Sequence, residues 1–113
     1  MDKITWEDAL NNIQNKKNKN KVFFIFFTLP NFSNVEVMKK VIIQLSNDFI
    51  DNKNVIFYEI DANEAKLYLT LESRFKVFQI PCYTVIKNDF IFYNGYNFYP
   101  KEILKDWILE LLD

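Results

Sequence analysis

Two apolar runs decide most of what this chain can fold into. Val22-Phe23-Phe24-Ile25-Phe26-Phe27 contains no polar residue, and Val55-Ile56-Phe57-Tyr58-Glu59-Ile60 contains one charge. A strand with one wet face alternates apolar and polar residues. A run that is apolar at both parities needs cover on both faces, as in a parallel sheet. Between the runs, Met38, Val41, Ile42, Leu45 and Phe49 recur at helical spacing and give one buried stripe. Strand, helix and strand in that order form a βαβ unit, whose right-handed crossover sets the two strands parallel.

The remaining elements fall around this unit. Thr5 before Trp6-Glu7-Asp8 predicts a capped first helix with Ala9, Leu10 and Ile13 inward. Ser33 and Glu36 have capping-box spacing at the start of the second helix, with Phe32 and Val37 placed for a hydrophobic staple. Glu64 to Phe75 reads as a helix with Ala65, Tyr68, Leu71 and Phe75 inward, and Asp61 as its cap. Tyr83–Ile86 and Phe90–Tyr93 flank Lys87-Asn88-Asp89 and predict an antiparallel hairpin. Pro100 suits the first turn of a last helix that buries Ile103, Leu104, Trp107, Ile108, Leu111 and Leu112. The order is α, β, α, β, α, β, β, α, a single α/β domain over residues 1–113 with a mixed four-stranded sheet covered by helices on both faces.

Scarce residues remove much chemistry. The 113 residues include no His, one Cys and one Gly. Without His there is no Ser-His-Asp or Cys-His catalysis and no His metal site. One Cys rules out an internal disulfide, a Cys-x-x-Cys pair and a thiolate zinc site, and one Gly rules out the glycine-rich phosphate loops. No cofactor and no metal is expected. The net charge of −1 gives no field directed at nucleic acid. Lys16, Lys17, Lys19 and Lys21 lie among asparagines with no aromatic for base stacking, and read as a solvated loop. No segment has the length of a membrane span and the first twenty residues do not resemble a signal peptide, so a cytoplasmic protein, away from membranes, is expected.

The order of elements, with Phe26-Phe27 ending a buried strand and Ile80-Pro81 preceding a hairpin, resembles the thioredoxin family. Val22–Phe27 matches its central strand and Ile60-Asp61 the end of the next. Arg74-Phe75-Lys76-Val77-Phe78-Gln79-Ile80-Pro81 is similar to the approach to its cis-proline. Tyr83 to Asn88, Asn94-Gly95 and Pro100 to Leu112 resemble its hairpin and last helix. The resemblance implies a thioredoxin-like fold over nearly the whole chain.

The departures set the functional expectation. Where the family has Trp-Cys-Gly-Pro-Cys, this chain has Asn31-Phe32-Ser33-Asn34-Val35, and the family's buried acid falls on Phe26. Dithiol exchange needs an attacking and a resolving thiol, and this turn has neither. The expectation is a redox-inactive thioredoxin-like module that binds or assembles with a protein or an extended peptide. Its contact surface would be Leu29, Pro30, Asn31, Phe32 and Ser33 with Ile80, Pro81 and Cys82, where the resemblance implies strand-like pairing just before the proline. The alternative is a single-cysteine thiol protein using Cys82, the one catalytic candidate, in glutathione-linked or peroxide chemistry. Glu59 and Asp61 are spaced as a carboxylate pair would be, with a capping role for Asp61 the simpler reading. Phe90, Phe92, Tyr93, Tyr96, Phe98 and Tyr99 crowd the hairpin and offer an apolar patch for a partner or a homodimer.

Overall fold

A computed structural model describes residues 1–112. Its five-stranded sheet has the order β1-β3-β2-β4-β5, built from β1 (Asp2–Lys3), β2 (Val22–Thr28), β3 (Val55–Asp61), β4 (Cys82–Lys87) and β5 (Phe90–Tyr96). β1 and β2 run parallel to β3, while β4 runs antiparallel to both β2 and β5. Every residue of β2 is buried, as its two-sided apolar pattern requires. Phe27 reaches Trp6 of α1 (Trp6–Gln14) on one face. On the other, Phe24 meets Phe57, which also touches Phe49 at the end of α2 (Ser33–Asp48). The last helix, α3 (Lys101–Leu111), covers that second face and stacks Trp107 on Tyr93. Asp48 receives Lys101 at 3.0 Å and Lys105 at 3.4 Å, tying α2 to α3 and holding its carboxyl below the usual range.

The fold departs from the sequence expectations at definite places. The sheet has five strands, not four. The added β1 is two exposed polar residues held by backbone pairing to Tyr58 and Glu59, which no hydrophobic pattern announces. Residues 64–75 do not form a helix. Lys66 and Leu69 take left-handed backbone angles of 58° and 60°, and the Leu69 N–H turns away to the Val77 carbonyl at 3.0 Å. Phe75 is buried between Trp6 and Phe27, but Leu71 is exposed. Asp61 does cap, accepting from the N–H groups of Asn63 (2.8 Å) and Glu64 (3.1 Å), though what it caps is a turn. At α2 the residue ahead of the helix is Phe32 and no side chain caps it, so the Ser33–Glu36 box is not made. Phe32 and Val37 are both exposed, which leaves the staple open. The stripe itself buries Met38, Ile42, Leu45 and Phe49, with Val35 added. In α3, Ile103 is exposed while Leu104 and Ile108 are buried.

Left-handed turns in a chain with one glycine fall mostly to Asn and Asp. Asn31, Asn88, Asp89 and Asn97 have φ of 68°, 51°, 61° and 66°. Two consecutive positive angles at Asn88-Asp89 match the twist of the hairpin they close. Arg74 secures that turn, donating to the Asp89 carbonyl at 2.6 Å and its carboxylate at 2.5 Å. Gly95 has a different reason to be glycine. Its φ is not positive, but a Cβ there would sit 2.5 Å from the Tyr99 hydroxyl and 2.8 Å from two ring atoms. Tyr99 is held edge-on against Tyr83 and Trp107, so the ring cannot step aside freely. Gly95→Ala is expected to destabilise by about 1–3 kcal/mol in urea unfolding. An unchanged midpoint would show that the ring yields.

Candidate functional site

β2 ends at Thr28, and the chain crosses Leu29, Pro30 and the left-handed Asn31 before α2 begins. Leu29 is buried; Pro30, Asn31, Phe32 and Ser33 are exposed, Phe32 by 39%. Leu29 to Ser33 and Glu36 line a cleft of about 360 Å³. Five of the eight expected surface residues therefore meet in one place.

The other three arrive from the neighbouring strand. Cys82 opens β4 with its Cα paired to that of Phe27, so the sheet sets Ile80-Pro81 beside the exit from β2. The Ile80–Pro81 peptide bond is cis. Ile80, Pro81 and Cys82 are all buried, in contrast to the turn. The Pro81 carbonyl accepts the Asn97 N–H at 2.9 Å. The backbone N–H and C=O of Ile80 make no hydrogen bond within the described residues.

Cys82 is 0% exposed. Its thiol donates to Asn94 Oδ1 at 3.3 Å, and the same oxygen accepts from the Thr84 hydroxyl at 2.9 Å. Asn94 Nδ2 in turn donates to the Lys76 carbonyl and to the Tyr96 hydroxyl, and that hydroxyl donates to the same carbonyl. Burial pushes the thiol up to about 12, against the smaller opposing effect of the Thr84 hydrogen bond. The polar partners of Cys82 come from β4 and β5.

Glu59 is the residue that sequence reading placed least well. It is 5% exposed, and its carboxylate meets Lys39 of α2 at 3.3 Å, Lys3 at 3.9 Å and the Thr28 hydroxyl at 3.3 Å. Asp61, the supposed second carboxylate, is engaged with its turn. Glu59 and Asp61 do share a small cavity of about 160 Å³, together with Leu29, Pro30, Val35 and Lys39. Glu59 stands opposite Phe26 in the ladder, beside the position where the family's buried acid would fall. The one charge inside an otherwise apolar strand was the available signal. Its lysine partners lie in distant sequence and were not.

Over its whole length the chain is similar to a protein from Mycoplasmopsis pulmonis (strain UAB CTIP) named thioredoxin, at 32% identity over 113 residues and 98% of each chain. The chain belongs to the thioredoxin family. Thioredoxin structures share the fold. One from Fasciola hepatica matches with a TM-score of 0.75 at 16% identity over 97% of this chain and 98% of its own. A mutant thioredoxin from Halobacterium salinarum NRC-1 matches at 0.75 and 15%, covering 98% and 89% of the two chains. No protein-family model matches the chain.

This relationship corrects the expected function. Missing cysteines at one turn, taken alone, suggest a redox-inactive binding or assembly module. A relative named thioredoxin along the entire chain points instead to a redox thioredoxin. The sequence still contains a single cysteine, which limits how that chemistry can run. Among the described residues, no helix is long and apolar enough to cross a membrane.

Proposed function

We propose that this chain carries out thioredoxin-type thiol–disulfide exchange on a protein substrate, through one thiol per molecule. The observation that carries this reading is the full-length likeness to a protein named thioredoxin. The geometry supports a docking place at the turn before α2. The unused N–H and C=O of Ile80 suit pairing with an extended substrate segment by strand addition, and Pro30, Asn31, Phe32 and Ser33 offer its side chains a cleft.

Cys82 is the only sulfur nucleophile in the sequence. Its thiol loses a proton to solvent, and the thiolate attacks one sulfur of the substrate disulfide. A Cys82–substrate S–S bond forms, the substrate S–S bond breaks, and the second substrate sulfur leaves as a thiolate that takes up a proton. A thiol from another molecule then attacks the Cys82 sulfur, so that the Cys82–substrate bond breaks, the substrate leaves as its second thiol and a Cys82–small-thiol disulfide forms. A second such thiol attacks the outer sulfur of that bond, releasing Cys82 as a thiol and the two external thiols as their disulfide. In the resting state, Thr84 and Asn94 bond the sulfur region, and Tyr96 and Lys76 hold Asn94 in turn, keeping the thiol covered and protonated. Exchange therefore waits on displacement of Asn94 as substrate docks. A cytoplasmic location belongs to the same proposal, since a reducing compartment keeps a lone thiol available.

Intact-mass spectrometry after mixing the reduced chain with a disulfide-bearing polypeptide tests the reading. The expected product is a Cys82-linked adduct, absent from Cys82→Ser and several-fold reduced in Phe32→Glu. No Cys82 adduct at any substrate concentration would overturn it. An adduct indifferent to Phe32→Glu would remove the cleft from the docking site.

A further inference from the structure

The face of the sheet that carries Cys82 holds a second groove, beside α1. Cys82 and Phe27 are paired across β4 and β2, so their side chains share one face, and the Phe27 ring meets Trp6 with centroids 5.5 Å apart. Next to Trp6 lies a groove of about 460 Å³, roomier than the cleft of about 360 Å³ at the turn before α2. Thr5, Trp6, Glu7 and Leu10 line it from the start of α1, and Glu64 and Ala65 from the loop after β3. These walls are held by the fold. Trp6 stands edge-on to Phe75 at 4.8 Å, and Thr5 caps α1 by accepting the Asp8 N–H at 3.2 Å. Asp61 accepts the Glu64 N–H on its carboxylate at 3.1 Å and the Ala65 N–H on its carbonyl at 3.0 Å.

The lining is chemically one-sided. Trp6, Leu10 and Ala65 are half-buried and supply apolar surface, while Glu7 and Glu64 are exposed. No Lys or Arg lines the groove, and neither carboxylate has an ion-pair partner among the described residues. Glu7 has a local reason to be acidic, since it lies in the first turn of α1. Glu64 does not. It comes from a distant part of the chain, and the fold sets it on the same groove as Glu7 and the tryptophan.

We propose that this groove seats an arginine side chain of a protein partner, its guanidinium against Trp6 and its N–H groups on Glu7 and Glu64. Charge complementarity selects that occupant. An acidic segment would be repelled, and an apolar one would leave both carboxylates unanswered. Arginine joins an apolar stem, which covers Leu10 and Ala65, to a planar cation that stacks on an aromatic face and donates to carboxylates as a fork. Lysine shares the charge but not the fork. The assignment concerns binding alone and is independent of exchange at Cys82.

Titration of the nitrogen-labelled full chain with a short capped peptide, free of cysteine and uncharged except for one central arginine, tests this by NMR. The chain has two tryptophans, Trp6 and Trp107, so two indole N–H signals report separately. The expected result is a saturable shift of the Trp6 signal, with Trp107 unmoved and a dissociation constant between about 50 µM and about 2 mM. Citrulline in place of the arginine keeps the shape without the charge and should weaken binding at least about tenfold, as should Glu64→Lys. Glu7→Gln should weaken it about threefold. Glu102→Lys, at an exposed first-turn acid of α3, should leave it unchanged. Circular-dichroism melting confirms that each variant is folded, and Glu7 and Glu64 lie in separate segments, so one misfolded variant leaves the other to decide. No Trp6 shift up to about 10 mM peptide would overturn the proposal. So would a citrulline or lysine peptide that binds as tightly as the arginine one, or a loss in Glu102→Lys equal to that in Glu64→Lys.

Discussion

Cys82 in the folded chain will react with a small thiol reagent about 1,000-fold more slowly at pH 7 than in the unfolded chain. Burial raises the thiol from 9.0 to about 12, so each unit of the difference lowers the thiolate fraction tenfold. The rate should climb about tenfold per pH unit without a plateau until about pH 11. The same shift makes a statement about stability. The unfolded thiol ionises near 9 and the folded one near 12, so above pH 9 the unfolded state binds fewer protons and stability falls. Below pH 9 the contribution is fully present. Tyr83, whose hydroxyl is also raised by burial, pulls in the same direction above about pH 10. Together they should remove a few kcal/mol by pH 11, at about 1.4 kcal/mol per unit, with a smaller loss in Cys82→Ala. A labelling rate at pH 7 within tenfold of the unfolded value would contradict the buried geometry.

Placing the family's buried acid back on β2 will unfold this protein. Phe26 is fully buried and stacks on Tyr83 with centroids 5.7 Å apart, and Glu59 stands directly opposite it in the ladder. Phe26→Asp removes the ring, opens a cavity and sets a second carboxylate beside one already buried. Ring loss alone amounts to about 3–5 kcal/mol, and the unpaired charge adds to it. The total approaches the whole stability of a small domain, about 5–15 kcal/mol. Phe26→Leu, which keeps most of the volume, should lose only about 1–2 kcal/mol. Urea unfolding followed by tryptophan fluorescence distinguishes the two. A Phe26→Asp protein within about 1 kcal/mol of wild type would show that Lys39 or water accommodates the acid.

What the sequence made legible follows from the range of the forces involved. β2, β3 and the stripe of α2 were readable because burial on two faces or one stripe leaves a pattern in consecutive residues. The hairpin was readable because Asn88-Asp89 tolerates the left-handed angles that its turn demands. β1 was not, because its pairing is backbone to backbone and leaves Asp2 and Lys3 looking like any polar terminus. The false helix at 64–75 had the right spacing, but Phe75 is drawn between Trp6 and Phe27, and tertiary packing outweighs a weak helical preference. At the site, the position of Cys82 beside the cis proline was legible from order along the chain. Its cover was not, since Asn94, Tyr96 and the Lys76 carbonyl reach it only through the folded sheet. Glu59 shows the same limit, with partners 20 and 56 residues away.

The most direct test of thioredoxin-type exchange is the reduction of a protein disulfide, with dithiothreitol as electron source, by wild type and Cys82→Ser side by side. Wild type should exceed the uncatalysed rate by several-fold and Cys82→Ser should fall to it, with Phe32→Glu in between. Identical rates for wild type and Cys82→Ser, both at the uncatalysed level, would show that this thioredoxin-family chain transfers no electrons through its one thiol.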